Sequence, residues 1–312
     1  MKVLSDTVET RMHYTDLLHD ARSASVYQTL EWLDVFRTLS CDIQFVDTGS
    51  GALIPFVCKG HSWLRRAFSL PYDTYGGPIG ETDTHFSFDE LARILAVPSI
   101  RLVDFSQTAE KTSWKEETAS THLVDLTSGY EQVASRYANM NRRAIRQAGR
   151  RGLRIKIVDS PAELAAFHRL YVKTQLKHGT RPLPLRFFEA IYETMVPIRM
   201  ATFYVALHGG GVVAGNLVLR FKNRAYDWAW VYDEHYLYLR PTNALIDRAI
   251  RDESQLGTEL FNLGSSPSNG QGIIDFKENF GATRYSYNLL TKFGTCYRMA
   301  RTLQNVGRRL RT

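Results

Sequence analysis

Tyr226-Asp227-Trp228-Ala229-Trp230-Val231-Tyr232, followed by a turn closing at Pro241 and the run Thr242 to Gln255, is the stretch that decides how this chain reads. The first part has the aromatic and β-branched content of a strand, and the second has the apolar spacing of a helix. A second strand is predicted at Thr258 to Gly264, then a small-polar loop from Ser265 to Gly272, then the short segment Ile273 to Gly281. Within the first strand Tyr226, Trp228, Trp230 and Tyr232 recur at period two. Side chains alternate along a strand, so the spacing predicts one aromatic face, with Ala225 and Ala229 on the other. Such a wall beside a polar loop and Lys277 suits a long, partly planar substrate, and it equally suits plain sheet core.

The remainder divides in two. Thr7 to Ala21 is weakly helical, and Thr29 is placed to cap a short helix carrying Trp32, Val35, Phe36 and Leu39. Ile43–Val46 and Leu53–Val57 read as a hairpin across Gly49-Ser50-Gly51. Pro71 to Pro78 is a rigid turn bearing Tyr75. A helix is expected over Phe88–Ala96, a strand over Ile100–Phe105 and a surface loop over Ser106–Ser120. After His122–Leu126 the character changes. Ser128 and Glu131 have capping-box spacing, which predicts one long helix to Gly152 with Tyr130, Val133, Tyr137, Met140, Ala144 and Ala148 as its buried stripe. A strand over Leu153–Val158, a helix opened by Ser160-Pro161, a helix around Phe187–Met195, and strands at Met200–Leu207 and Val212–Phe221 lead into the aromatic strand. A last strand is expected at Tyr285–Lys292. The expected domains are 1–126, 127–296 and a basic tail, 297–312.

With 312 residues, 44% of them hydrophobic and 23% charged, the chain has the composition of a globular protein able to hold two cores. No run approaches the roughly 18 apolar residues of a membrane span, and the polar start Met1 to Asp6 does not read as a secretory signal. Cys41, Cys58 and Cys296 lack metal-ribbon spacing and are expected as thiols. A cytoplasmic location is the expectation. The net charge of +7 is concentrated: Asn141–Lys156 holds seven basic and no acidic residues, and Tyr297–Thr312 holds five and none. Local basicity of this kind points to an anionic partner. Arg142, Arg143 and Arg146 could grip a diphosphate, or simply be solvated. The tail places Met299, Leu303, Val306 and Leu310 on one face, so it could rest on an anionic inner membrane face or dock on the protein itself.

Asn141-Arg142-Arg143-Ala144-Ile145-Arg146-Gln147-Ala148 with Gly152-Leu153 resembles the N-R-R-x-I-R-x-A…G-L signature of FemABX-like transferases. So does Leu263-Gly264-Ser265-Ser266 followed by Gly272 to Gly281, with Phe276-Lys277 ahead of Phe280-Gly281. Tyr27 to Trp32 and Tyr75-Gly76-Gly77-Pro78 are weaker matches. The resemblance, which extends to BioF2-like proteins, implies an α/β (α+β) chain of mixed sheets built as two tandem GNAT-like (acyl-CoA N-acyltransferase-like) domains. It implies acyl transfer: from aminoacyl-tRNA to an amine of a UDP-sugar peptide or lipid-linked peptidoglycan precursor, or from acyl-CoA in polysaccharide or lipid modification. A non-catalytic binding homologue is a third reading.

No bound cofactor, metal or DNA is expected. The long helical arm that some cell-wall members use for tRNA has no counterpart in this sequence, so either the chain resembles the arm-less branch or its donor is not tRNA. The resemblance assigns catalysis to Lys277, whose cation would stabilise an oxyanion, and Asp104 at a strand end is the candidate proton acceptor. Phe276, Arg142, Arg143, Arg146, Tyr226, Trp228, Trp230 and Tyr75 are the expected substrate-binding residues. Acetyl-CoA enzymes of this fold cradle pyrophosphate on a glycine-rich turn after the fourth strand. Here that turn is Tyr232 to Pro241, with no glycine and two acids.

Overall fold

The computed structural model describes residues 1–22, 24–61, 65–69, 76–80, 87–97, 99–103, 114–266 and 270–293. In chain order its elements are β1 (Lys2–Ser5), α1 (Val8–Asp20), α2 (Leu30–Val35), β2 (Asp42–Asp47), β3 (Ala52–Lys59), β4 (Arg66–Phe68), β5 (Ile79–Gly80), α3 (Phe88–Leu95) and β6 (Ser99–Val103). Then come β7 (Lys115–Asp125), α4 (Tyr130–Ser135), α5 (Asn139–Arg150), β8 (Arg154–Ile157), α6 (Pro161–Lys177), α7 (Leu185–Thr194), β9 (Ala201–His208) and β10 (Gly211–Phe221). The last are β11 (Arg224–Tyr232), α8 (Pro241–Gln255), β12 (Leu260–Ser266), α9 (Gln271–Glu278) and β13 (Thr283–Phe293). The chain is a mixed α/β protein. It divides into two compact units, Ser120–Ser286 and Met1–Ala119 with the chain from Tyr287 onward. The division falls inside β7 and again inside β13, whereas the sequence reading placed its boundaries at 126/127 and 296/297.

In the first unit the strands lie in the order β1-β2-β3-β4-β6-β13, with β5 also on β3. Thr29 caps α2 by accepting from the Trp32 N–H, which seats Trp32 in a core with Phe36 at 5.5 Å. Cys41 and Cys58 are buried free thiols, and burial pushes Cys58 up to about 11. The expected loop over Ser106–Ser120 is in part β7, from Lys115 on. Its first four residues are all exposed, so the strand carries no apolar alternation there to betray it.

The second unit has the order β7-β12-β11-β10-β9-β8, with β11 and β12 parallel and the rest antiparallel. The predicted long helix from Ser128 is two helices. Gly129 at φ +80° is the N-cap of α4, so the Ser128 box does not form. The chain breaks over Arg136–Ala138, where the Ala138 N–H donates to the Asn279 carbonyl at 2.9 Å and Tyr137 packs edge-on against Phe280 at 5.1 Å. Tertiary contacts with the segment after α9 thus override local propensity. The break also turns Met140 outward, 64% exposed, while Asn141 takes the buried position instead.

Glu253 on α8 is fully buried and holds Arg220 through two charge-assisted hydrogen bonds, one of them 2.6 Å from the guanidinium Nε, while Thr258 donates to it at 2.7 Å. Glu253→Ala would strand that guanidinium. A loss of about 3–5 kcal/mol in unfolding free energy is expected, read as a lower denaturant midpoint.

Candidate active site

The aromatic strand does not keep its period. Opposite β11, Leu217 pairs with Ala229 and Val218 with Asp227, so Trp228 is the extra residue of a β-bulge. Before the bulge Ala225 faces the core packed by α8, and after it Trp230 and Tyr232 face that same core. Trp228 instead stacks near Phe187 and Phe188 of α7, at 6.0 and 6.2 Å. The single aromatic face over Tyr226, Trp228, Trp230 and Tyr232 is therefore corrected, because one inserted residue reverses the alternation.

That shift brings Asp227 together with Trp230. Asp227 is buried, and its Oδ1 accepts from Asn216 Nδ2 of β10 at 3.2 Å. Its Oδ2 and the buried Trp230 Nε1 have no hydrogen-bond partner among the described residues. The two groups still stand close enough for the indole to favour the carboxylate, ahead of Asn216 and Lys277. Burial dominates and pushes the Asp227 carboxyl up to about 7, against the pull of Trp230, Asn216 and the Lys277 charge.

Lys277 enters from α9. Ile274 and Lys277 stand three residues apart on its buried face, and Lys277 is only 2% exposed. Its ammonium donates to the Gly264 carbonyl at 2.9 Å and the Ser265 carbonyl at 2.6 Å, and lies 5.5 Å from the Trp230 ring centroid. Gly264 has φ +80°, a left-handed turn that lets two successive carbonyls face one cation. Asn262 supports this turn, its Oδ1 accepting from the Gly264 N–H at 2.8 Å and from Thr121 at 2.6 Å. Burial lowers the Lys277 ammonium to about 8, with Asp227 acting in the opposite sense. A titratable acid and a titratable base are thus buried within electrostatic reach of each other, each poised near neutral pH.

The strands open at this place. β11 and β12 pair only over Arg224–Tyr226 and Leu260–Asn262. Beyond that point Asp227 and Trp230 on one strand, and the Gly264 and Ser265 carbonyls on the other, line the carboxyl ends of parallel strands, a usual position for ligands in α/β sheets. On the far edge of β12, His122 is buried with Nδ1 3.3 Å from Ser266 Oγ. Burial, then the charges of Lys277 and Arg284, lower it to about 4, so it is neutral at pH 7.

The remaining expected residues are scattered. Phe276 packs edge-on against Trp230 at 5.6 Å and Phe280 at 5.4 Å. Arg142 donates to the Ser135 carbonyl and Asn139 Oδ1, both at 2.6 Å, and so ties the α4–α5 break. Arg143 and Arg146 are exposed on α5. Tyr226 is buried. Tyr75, Asp104 and the tail 297–312 lie outside the described residues. The two weaker front motifs do meet, since Gln28 Nε2 donates to the Gly77 carbonyl at 3.1 Å.

Sequence reasoning missed Asp227 and Asn216. Their signal was available: an acid and an amide inside apolar central strands must be buried. Among the described residues no group of three or more His, Cys, Asp or Glu could hold a metal, and no helix is long and apolar enough to cross a membrane.

Residues 135–278 match the family model described as an acetyltransferase (GNAT) domain. Over this segment the chain is similar to GNAT acetyltransferase domains. The segment contains α5, the bulged β11, Asp227 and Lys277, and it makes the chain an acyltransferase. Solved structures agree on the fold over almost the whole chain. FemX is 11% identical with a TM-score of 0.67, covering 93% of this chain and 97% of its own. The C-terminal domain of a protein described as a lysylphosphatidylglycerol synthetase from Agrobacterium fabrum is 16% identical with a TM-score of 0.61, covering 96% of each chain. A tandem GNAT protein from the clavulanic acid biosynthesis pathway is 14% identical with a TM-score of 0.53, covering 94% and 97%. No curated protein matches the sequence. At these identities the structures speak to the fold, and the GNAT domain's own residues must carry the chemistry.

Proposed function

We propose that the chain transfers an aminoacyl group from aminoacyl-tRNA to an amine of a peptidoglycan precursor, either a UDP-sugar peptide or its lipid-linked form. The observation that carries this reading is the pairing of a desolvated ammonium, Lys277, with a desolvated carboxyl, Asp227, in the opening between β11 and β12. Joining an ester to an amine needs a neutral nucleophile and a stabilised carbonyl oxygen. With pKa values of about 7 and 8, Asp227 can take the proton from an incoming ammonium while Lys277 remains a cation. The amine nitrogen then attacks the ester carbon. Two of the three N–H bonds of Lys277 are held by the Gly264 and Ser265 carbonyls, which leaves one for the developing oxyanion. As the carbon–oxygen bond breaks, Asp227 gives that proton to the leaving ribose oxygen and, a carboxylate again, takes the second proton that the nitrogen loses in becoming an amide, for release to solvent. In this reading Asp227 is a proton acceptor, the role that the sequence reading gave to Asp104, which lies outside the described residues.

The donor assignment draws support from the turn after β11. Residues Glu234–Leu239 form a 3-10 turn and Pro241, which has no N–H, opens α8. Asp233 and Glu234 are tied to Lys173 and Lys177 of α6. A pyrophosphate cradle needs convergent backbone N–H groups, and this turn offers few.

A donor panel tests the reading on the full chain. Amino acid release from charged tRNA in the presence of a UDP-sugar peptide is the expected result. Free CoA released from acyl-CoA would establish an acyl-CoA acyltransferase instead, and turnover of neither donor would favour a binding homologue.

A further inference from the structure

We infer that the exposed arginine face of α5 is a phosphate track for the acceptor end of an RNA donor, an inference that rests on aminoacyl-tRNA being that donor. Arg143, Arg146 and Arg150 lie at i, i+3 and i+7, on one side of the helix. All three are exposed, and none has a hydrogen-bond or ion-pair partner among the described residues. Their neighbours differ. Arg142 is engaged by the Ser135 carbonyl and Asn139, Arg151 donates to the Tyr238 carbonyl, and Lys156 is paired with Asp159 and Glu163. What remains is a row of unneutralised guanidinium groups, with Arg143, Arg146, Gln147 and Arg150 lining an open hollow of about 390 Å³.

Length chooses among anions. From Arg143 to Arg150 the helix rises about 10 Å. One strand of a helical nucleic acid presents a phosphate about every 3.4 Å of axis, so the row matches roughly three consecutive phosphates. A diphosphate offers only two adjacent phosphorus atoms and would leave part of the row idle. A membrane-docking helix interleaves apolar side chains with its basic ones, whereas this hollow is lined by arginines and one glutamine.

Position agrees with the chemistry. The first turn of α5 lies against the segment just after α9, Met140 Sδ being 3.3 Å from Asn279 Nδ2, two residues beyond Lys277. At the other end the Arg151 guanidinium covers the ring of Tyr238 at 5.6 Å, and Tyr238 is 54% exposed. An exposed aromatic ring flanked by arginine is the platform on which unpaired bases stack.

The test is binding of an uncharged RNA minihelix with a single-stranded 3′ end to the full chain, by fluorescence anisotropy over a salt series. In Arg143→Gln/Arg146→Gln/Arg150→Gln the affinity is expected to fall at least tenfold. The slope of log K against log salt should become shallower by about 2 units, because each phosphate that is no longer neutralised lowers it by roughly 0.7–0.9. The thermal midpoint should stay unchanged, because none of the three side chains carries a structural bond. Equal affinity and slope in wild type and variant would overturn the track. It would leave the donor reading intact if charged tRNA still turns over. A wild type that neither binds the minihelix nor uses charged tRNA would overturn both. Loss of UDP-sugar or anionic-vesicle binding in the variant, without loss of RNA binding, would reassign the face to that ligand.

Discussion

Lys277→Met is expected to lower kcat by about 10²–10³-fold, the loss typical of removing one donor to a developing oxyanion. Methionine keeps the length and apolar stem of the side chain but removes the charge. The expected stability change is small, because the native ammonium is itself held out of water: burial has pulled it from 10.5 to about 8. Two buried carbonyls, of Gly264 and Ser265, lose their donor, while the cost of burying a cation disappears. A catalytic role therefore predicts a large fall in turnover at nearly constant thermal midpoint. A structural role predicts the reverse. Donor-substrate turnover and a melting curve on the same preparation separate the two.

Asp227→Asn is expected to cost about 10²–10⁴-fold in kcat/KM, the range for removing a positioned general base. The amide is nearly isosteric, and it relieves the cost of a carboxylate in a buried site. The sign of that relief follows from the pKa. The carboxyl is raised from 3.8 to about 7 on folding, so the native state holds its proton more tightly than the unfolded chain. Wild-type stability is favoured below about pH 4 and declines as pH rises through 7. The variant should lack that decline and be at least as stable as wild type at pH 8 while far less active, by denaturant titration at two pH values.

Much of the fold was legible because its signals are local. The caps at Thr29 and Ser160 each act within a few residues of themselves, and the helices they open form where expected. What escaped depends on distant partners. The α4–α5 break is imposed by Asn279 and Phe280, about 140 residues downstream, and no window around Tyr137 contains them. The bulge at Trp228 has the same origin. An inserted residue is visible only against its partner strand, so a ladder read as strictly alternating sent Trp228 to the wrong face. Strict alternation also puts Asp227 on the face opposite Trp230, whereas the bulge brings the two together.

Lys277 was singled out through the motif resemblance, but its burial was not predicted by it. An isolated lysine between Phe276 and Glu278 reads equally well as a surface residue. It becomes a buried cation because Gly264 turns two carbonyls toward it, and because Trp230, displaced by the bulge, forms the wall beside it. The basic run of α5 divided in a similar way. Seven positive residues without an acid promised one anion site, yet Arg142, Arg151 and Lys156 are occupied within the fold. Only their three-dimensional surroundings could sort them.

The central claim is that Asp227 and Lys277 act together, one unprotonated and the other protonated, in the opening between β11 and β12. The pH dependence of kcat/KM, measured with the donor identified by the panel, addresses it most directly. Activity should rise as pH passes about 7, where Asp227 loses its proton, and fall beyond about 8, where Lys277 loses its own. In Asp227→Asn the lower limb should vanish from the residual activity while the upper one remains. A wild-type profile without these two limbs, or a lower limb that survives unchanged in Asp227→Asn, would contradict the account.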